Sequence, residues 1–352
     1  MVWLGLLLLA VATVPILVGM AHWCWAVRRP APTDSGRVSL VLPLAPGADI
    51  AGLRQALDAQ DLSPRRLILT VRDAADAPPG AVIAGPASSR GQKSHNLLAA
   101  LERIDGDDEV VLFLDADIIP PPWWLGFLAQ PILAGERDVV SGFRWSQPRG
   151  PVAQLVAWLD RGWALTARVP GMNVCWGGSL AFAPAALPSI RRGLSHGVSD
   201  DLGIAAAARA DGLRVLVRGA ALVPSPLASA GALEFWTRQL RIIRFYRPGL
   251  WWAQIVHSHF VLAAWVLLWG SAWLWLAVAA LAARSLAQAT AARRLGFADP
   301  VPTRAWQALL GLLPLADALN LCCLWSSALG RTITWRGITY RIAPDGAATV
   351  LA

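Results

Sequence analysis

Residues 2–27 form an almost unbroken apolar run. A run of that length spans a hydrocarbon core as one helix, because only a helix satisfies its own backbone polar groups there. The rest of the chain is therefore tethered to a bilayer. No Lys or Arg precedes the run, so the basic n-region of a signal peptide is absent, and Arg28 and Arg29 come directly after it. Under the positive-inside rule that end faces the cytoplasm and the N-terminus lies outside. Pro30 to Gly36 reads as a short linker.

A second apolar block covers Trp251 to Ala283, too long for one upright span and slightly short for two. A single tilted helix and a tight hairpin both fit. Residues 306–329 give a further candidate span. Arg284, Arg293, Arg294 and Arg304 lie between these segments, and Arg331, Arg336 and Arg341 come after them. Both flanks are basic, so charge alone does not orient the C-terminal part. The chain has 19 Trp against 2 Tyr, many near the edges of apolar segments, where amphipathic rings favour the headgroup region. The net charge of +8 points to anionic lipid headgroups and phosphate. Nucleic acid is not expected as a partner, because no basic patch is interleaved with stacking aromatics. The 4 cysteines show neither zinc-type spacing nor a disulfide framework, which fits a reducing compartment.

Between Arg37 and about Leu227 the pattern changes to alternating strands and helices. Val38–Leu42, Leu67–Val71 and Glu109–Leu114 read as strands; Asp49–Gln60 and Gln92–Arg103 read as helices. That alternation predicts βαβ units and a mostly parallel sheet with helices on both faces. Ligands of such sheets bind beyond the carboxyl ends of the strands, where Asp73 and Asp115 fall.

Asp115-Ala116-Asp117 comes directly after a buried-type strand. Two hard oxygen donors at that spacing suit Mg²⁺ or Mn²⁺, with a substrate diphosphate completing the shell. The bland reading is a strand-end turn. Asp73 has the same two readings, a nucleotide ligand or a turn former. Lys93, near the start of the second predicted helix, opposes the helix dipole; a bound phosphate accounts for it, and so does plain solvation. Ser199-Asp200-Asp201 reads as a helix start capped by Ser199, with one of the two acids available as a general base. Arg238, Arg241, Arg244 and Arg247 make a basic stripe, suited to anionic lipid or to a diphosphate leaving group.

In this order the motifs resemble the family 2-like inverting glycosyltransferases, in the ceramide glucosyltransferase branch and its hopanoid-associated bacterial relatives. The resemblance rests on Asp73, Lys93-Ser94-His95-Asn96-Leu97, Asp115-Ala116-Asp117, Gly177-Gly178-Ser179, Asp200-Asp201, Arg238-Gln239-Leu240-Arg241 and Thr334–Tyr340. It implies a GT-A-like α/β fold and inverting transfer from a nucleotide-sugar donor to a membrane lipid hydroxyl. Asp115 and Asp117 would hold the metal diphosphate and Asp201 would be the base. Asp73, Lys93, Asn96, Asp200, Arg238 and Arg241 would line the substrates. Ile242 stands where the family motif has Trp. The expected plan is an N-terminal transmembrane helix (1–29), a cytoplasmic domain (37–250) ending in an Arg-rich interfacial helix, a transmembrane region (251–330) and a basic tail (331–352). The expected setting is the inner membrane. The rival readings are a processive polysaccharide synthase, a non-catalytic lipid-binding relative and a transporter. Few spans argue against the first, and carboxylate motifs outside the membrane argue against the last.

Overall fold

The computed structural model describes residues 1–26, 35–167, 175–297 and 299–351. Arg28, Arg29 and most of the expected linker therefore lie outside the described residues. The strands are β1 (Val38–Pro43), β2 (Arg66–Val71), β3 (Val82–Ile83), β4 (Val110–Leu114), β5 (Val139–Arg149), β6 (Ser179–Phe182) and β7 (Val215–Ala228), then β8 (Thr332–Trp335), β9 (Ile338–Ile342) and β10 (Ala348–Leu351). The helices are α1 (Val2–Ala26), α2 (Ala51–Asp58), α3 (Gln92–Leu101), α4 (Trp124–Leu133), α5 (Pro151–Thr166) and α6 (Leu187–Leu194). They continue as α7 (Asp200–Ala210), α8 (Ala232–Tyr246), α9 (Pro248–Leu268), α10 (Leu274–Leu295), α11 (Val301–Leu310) and α12 (Leu315–Ala328).

The chain divides into two compact units. One comprises Arg29–Arg144, Asn173–Ser225 and Arg331–Ala352; the other comprises Met1–Arg28, Trp145–Met172 and Pro226–Gly330. The first carries a seven-stranded sheet in the order β3-β2-β1-β4-β6-β5-β7. The pairs β1–β2, β1–β4 and β2–β3 are parallel, and β6 runs antiparallel between β4 and β5. The mostly parallel α/β sheet expected from the sequence is present, with β6 reversed relative to β4 and β5. Side chains alternate across it. Val41, Val111, Phe113, Leu180 and Phe182 pack one face against Leu97 of α3, Ile190 of α6 and Ile204 of α7. Leu40, Leu42, Leu112 and Leu114 are equally buried and have the opposite parity. There α4 packs against β4 and β6, and Trp124 Nε1 donates to Ser179 Oγ at 2.8 Å.

Residues 331–351, a basic tail by composition, form a three-stranded antiparallel sheet in the order β10-β9-β8, within the same unit as the large sheet. Hydrogen bonds to the α3 and α7 ends of the unit help hold it there. Gln92 N donates to Tyr340 Oη (3.1 Å), Ala348 N to His196 O (2.9 Å) and Val350 N to Ser88 O (3.0 Å).

The other unit is helical. Among the described residues three of its helices, Val2–Trp25, Pro248–Leu268 and Leu274–Leu295, are long and apolar enough to cross a membrane; a fourth crossing results only if α11 and α12, bent by 82°, count as one span. The apolar block from Trp251 to Ala283 is thus two helices. The chain breaks at 269–273, where Gly270 takes a left-handed φ of 74°. Trp3 and Trp25, 80% and 79% exposed, stand at the two ends of α1. At 1.5 Å per residue they are about 33 Å apart, close to the hydrocarbon thickness. Trp269, Trp273 and Trp275 are exposed at the α9–α10 turn.

Helix α5 belongs to this unit and packs against α1, α8, α11 and α12. It brings charge into the interior. Arg161 makes a two-pronged bond to Asp299 (2.7 and 3.0 Å) and lies 4.6 Å over the Trp145 ring. Arg284 reaches Asp317 at 3.2 Å and stacks 4.0 Å over Trp158.

Candidate active site

The parallel strands β2 and β4 end at the same edge of the large sheet, so Asp73 and Asp115 leave it on the same side. Asp73 is half-exposed, with Oδ2 3.3 Å from Arg72 Nε, and starts a short 3₁₀ turn. Asp115 and Asp117 come after the five fully buried residues of β4.

Lys93 is neither solvated nor left opposing its helix. Its ammonium sits between two carboxylates, 2.7 Å from Asp115 Oδ1 and 2.9 Å from Asp200 Oδ2. Burial disfavours the ammonium, but the two anions and their hydrogen bonds outweigh it and raise its pKa above the ordinary lysine value. The start of α3 is pinned to the start of α7 by backbone as well. Gly91 N donates to Gly197 O (2.9 Å), and a β-carbon on Gly91 would meet Val198 O at 2.6 Å. Asn96, one turn further along α3, is buried and accepts from Gln92 Nε2 at 2.8 Å. Gln92 also donates to Gly85 O and accepts from Ala87 N, so this pair organises the 85–87 loop.

Ser199 caps α7 as expected, accepting from Leu202 N at 3.2 Å. It also donates to Asp201 Oδ1, which accepts a second bond from Leu202 N at 2.8 Å. Desolvation and the neighbouring Asp200 charge push Asp201 up to about 6, against the lowering effect of Ser199 and Lys93. The two acids thus differ in environment. Asp200 is ion-paired to a buried lysine, and Asp201 is a carboxylate with raised basicity.

Asp117 is raised as well, first by burial and then by the charge of Asp115. A carboxylate raised by a neighbouring carboxylate's charge fits a divalent cation, which removes the repulsion. Among the described residues no group of three or more His, Cys, Asp or Glu is placed to hold a metal. An ion at Asp115 and Asp117 would take its remaining ligands from substrate oxygens and water.

Gly177 and Gly178 line the same place. A β-carbon on Gly177 would lie 1.9 Å from Asp200 Oδ2, and one on Gly178 would lie 2.4 Å from Asp115 Oδ2. The glycine pair keeps the carboxylates clear of side chains. Arg336, on the turn between β8 and β9, lies near enough to Asp117 to oppose the rise in its pKa. The sequence marks Thr334–Tyr340 as a motif but not this proximity.

Arg238 and Arg241 belong to the helical unit, on α8. Arg241 Nη2 donates to Ser326 O (3.2 Å), and Arg244 to Ser327 O (2.5 Å) and Gly330 O (3.3 Å). These are carbonyls at the end of α12, where cations also suit the helix dipole. Arg238 lies 5.7 Å from the Phe235 ring centroid, and Ile242 is buried.

Among solved structures, the mannosyltransferase PcManGT from Pyrobaculum calidifontis, in complex with GDP-Man and Mn²⁺, is similar over 91% of this chain and 98% of its own (18% identity, TM-score 0.43). Glucosyl-3-phosphoglycerate synthase from Mycobacterium tuberculosis, with Mn²⁺ and UDP-Glc, is similar over 57% of this chain and 75% of its own (23% identity, TM-score 0.33). At such TM-scores these likenesses carry no weight for the chemistry of this chain. No curated protein sequence matches it. The family model described as glycosyl transferase family 21 matches residues 91–348, a stretch running from Gly91 through both acidic motifs to the C-terminal sheet. The chain belongs to glycosyl transferase family 21 and is a glycosyltransferase.

Proposed function

We propose that this protein transfers a sugar from a nucleotide-sugar donor to the hydroxyl of a membrane lipid, of the ceramide or hopanoid type, with inversion at the anomeric carbon. The observation that carries this reading is the division of labour around Lys93. One acid, Asp200, is ion-paired to it, while the adjacent acid, Asp201, is pushed up to about 6. A carboxylate of that basicity is suited to take a hydroxyl proton near neutral pH.

In the proposed reaction Asp201 accepts the proton of the lipid hydroxyl as its oxygen bonds to the anomeric carbon. The bond from that carbon to the diphosphate oxygen breaks, and the nucleoside diphosphate leaves with the electron pair. One displacement of this kind inverts the centre. Asp73, just beyond the end of β2, is assigned to the nucleoside. A Mg²⁺ or Mn²⁺ ion held by Asp115 and Asp117 would supply Lewis-acid neutralisation of the diphosphate. Lys93 fixes Asp115 and Asp200 in position. Arg238 and Arg241 are assigned to the lipid side of the reaction, where the α8 stripe also suits anionic headgroups.

The expected setting is the inner membrane with the catalytic unit cytoplasmic. The α9–α10 turn, Trp269 to Trp273, contains no charged residue, whereas Arg238 to Arg247 precede α9 and Arg293 and Arg294 end α10. By the positive-inside rule both outer ends of this hairpin face the cytoplasm. The catalytic unit contains residues on either side of the helices from 226 to 330. The number of crossings between must therefore be even. In this reading helices α9 and α10 supply two, and the bent α11–α12 pair would enter and leave on one side.

The test is a donor screen on the full chain in mixed bilayer lipids, reading released nucleoside diphosphate and glycolipid together. Nucleotide release coupled to lipid glycosylation and abolished reversibly by chelator is expected. Turnover that persists in excess chelator, or a polymeric product, would refute the reading.

A further inference from the structure

The C-terminal sheet presents one residue in a conformation that its turn does not favour. Trp335 pairs with Ile338, so the β8–β9 loop has two residues, Arg336 and Gly337. Their φ values are 51° and 78°, the pair of positive angles that marks a type I′ hairpin. That turn strongly prefers Asn, Asp or Gly in its first position, because a longer side chain pays for the left-handed backbone. Arg336 is the only non-glycine residue with positive φ among the described residues. The strain sits on an exposed side chain, so packing does not account for it.

The hairpin is fixed with respect to the site. Tyr340, 2% exposed, accepts from the N-terminal amide of α3, one residue before Lys93. Ala348 bonds His196, in the loop that leads into α7. Both contacts fall on the two helix starts that carry Lys93, Asp200 and Asp201. The guanidinium of Arg336 thereby stands at the tip of a hairpin anchored beside Lys93, near enough to Asp117 for their opposite charges to interact.

We propose that Arg336, held at the tip of the β8–β9 turn, binds the diphosphate of the nucleotide donor opposite Asp115 and Asp117. This rests on the nucleotide-sugar reading above. A guanidinium matches a diphosphate with two parallel charge-assisted bonds, which a point charge such as Lys cannot reproduce. It supplies positive charge to the departing group without using the lysine already committed to Asp115 and Asp200. The residue is assigned to donor binding and leaving-group stabilisation; proton transfer stays with Asp201.

Arg336→Asn separates this role from a structural one, because Asn suits the I′ position better than Arg. Binding of UDP and of GDP, each with MnCl₂, is measured by calorimetry on the full chain in detergent, alongside the thermal midpoint. Arg336→Asn is expected to keep or raise the midpoint while weakening nucleoside diphosphate binding about 10- to 100-fold, the effect of removing a charge-assisted contact. Arg336→Lys should recover only part of it. Arg341→Ala, on β9, should leave binding unchanged. Equal affinity of wild type and Arg336→Asn for the diphosphate, or weaker binding only to phosphatidylglycerol vesicles, overturns the assignment of Arg336. If wild type binds neither nucleotide, the nucleotide-sugar reading fails, and this inference fails with it.

Discussion

Gly177 faces Asp200 so closely that a β-carbon would lie 1.9 Å from the carboxylate oxygen. The same carbon would approach Lys93 Nζ to 3.3 Å. Gly177→Ala should therefore displace Asp200 and loosen Lys93 without touching the hydrophobic core. Misplacement of about 1 Å in a catalytic constellation costs on the order of 10²-fold in rate, and that loss is expected here. Gly106→Ala, where nothing lies within 4 Å of the added carbon, should be silent. Turnover and circular dichroism on both variants check the contrast.

Lys93→Met strands two carboxylates that now share a cation. Breaking a buried ion pair typically costs about 3–5 kcal/mol, and the loss should be largest near neutral pH. The sign comes from the proton balance. In wild type the raised Lys93 pKa keeps the stabilisation intact below the unfolded lysine value of about 10.4, and it is lost only as pH rises through the still higher folded value. Denaturation at pH 7 should show the variant less stable than wild type by that margin. Equal stability of the two proteins there would contradict the ion-pair account.

Asp201 sets an acid limb. With its pKa pushed up to about 6, kcat/KM should rise through that pH as the base ionises. The same shift makes the folded chain bind this proton more tightly than the unfolded one. Its contribution to stability therefore falls as pH rises from about 4, the ordinary carboxylate value, to about 6. Asp201→Asn should cost roughly 10²–10⁴ in turnover with little change in nucleotide affinity. Ser199→Ala removes a donor to Asp201 Oδ1 and should move the acid limb to higher pH. An unmoved limb would place the titrating group elsewhere.

Cys175 is buried, so it reports poorly on sidedness. In a cysteine-free background, Gln55→Cys on exposed α2 should resist impermeant thiol reagents added to intact cells, whereas Ser271→Cys in the α9–α10 turn should react. Leu312→Cys, between α11 and α12, should be protected as Gln55→Cys is. Reaction at 312 but not at 271 would reverse the topology.

The sequence makes the local features legible and leaves the long-range ones hidden. Strands β1, β2 and β4 show as short apolar runs, and the acids at their ends come directly after them. Ser199 declares itself as a cap because Asp200 and Asp201 stand next to it, in the first turn of the helix. Lys93 is visibly anomalous, but its partners arrive from β4 and α7, and nothing near Lys93 in the chain names them. Helix α5 is disguised in another way. Asp160 and Arg161 make 151–166 look like part of a water-exposed domain, yet Ser146 and Asp299 partner them inside the helical unit. The α9–α10 break rests on Gly270 alone, with no Pro to mark it. In the tail, alternation in Thr332–Trp335 and Ile338–Ile342 is overshadowed by three arginines.

The catalytic unit is assembled from three separate stretches of chain, and the third, the β8–β10 sheet, is synthesised after every helix of the other unit. Until that sheet docks, the amide of Gln92 lacks the Tyr340 hydroxyl, and His196 and Ser88 lack their partners. A ribosome-bound chain that has emitted Asp115, Lys93 and Asp201 thus has these charged residues but not a finished domain. Strands made last therefore close the unit that holds Lys93, and that unit is complete only after α9 to α12 have been synthesised.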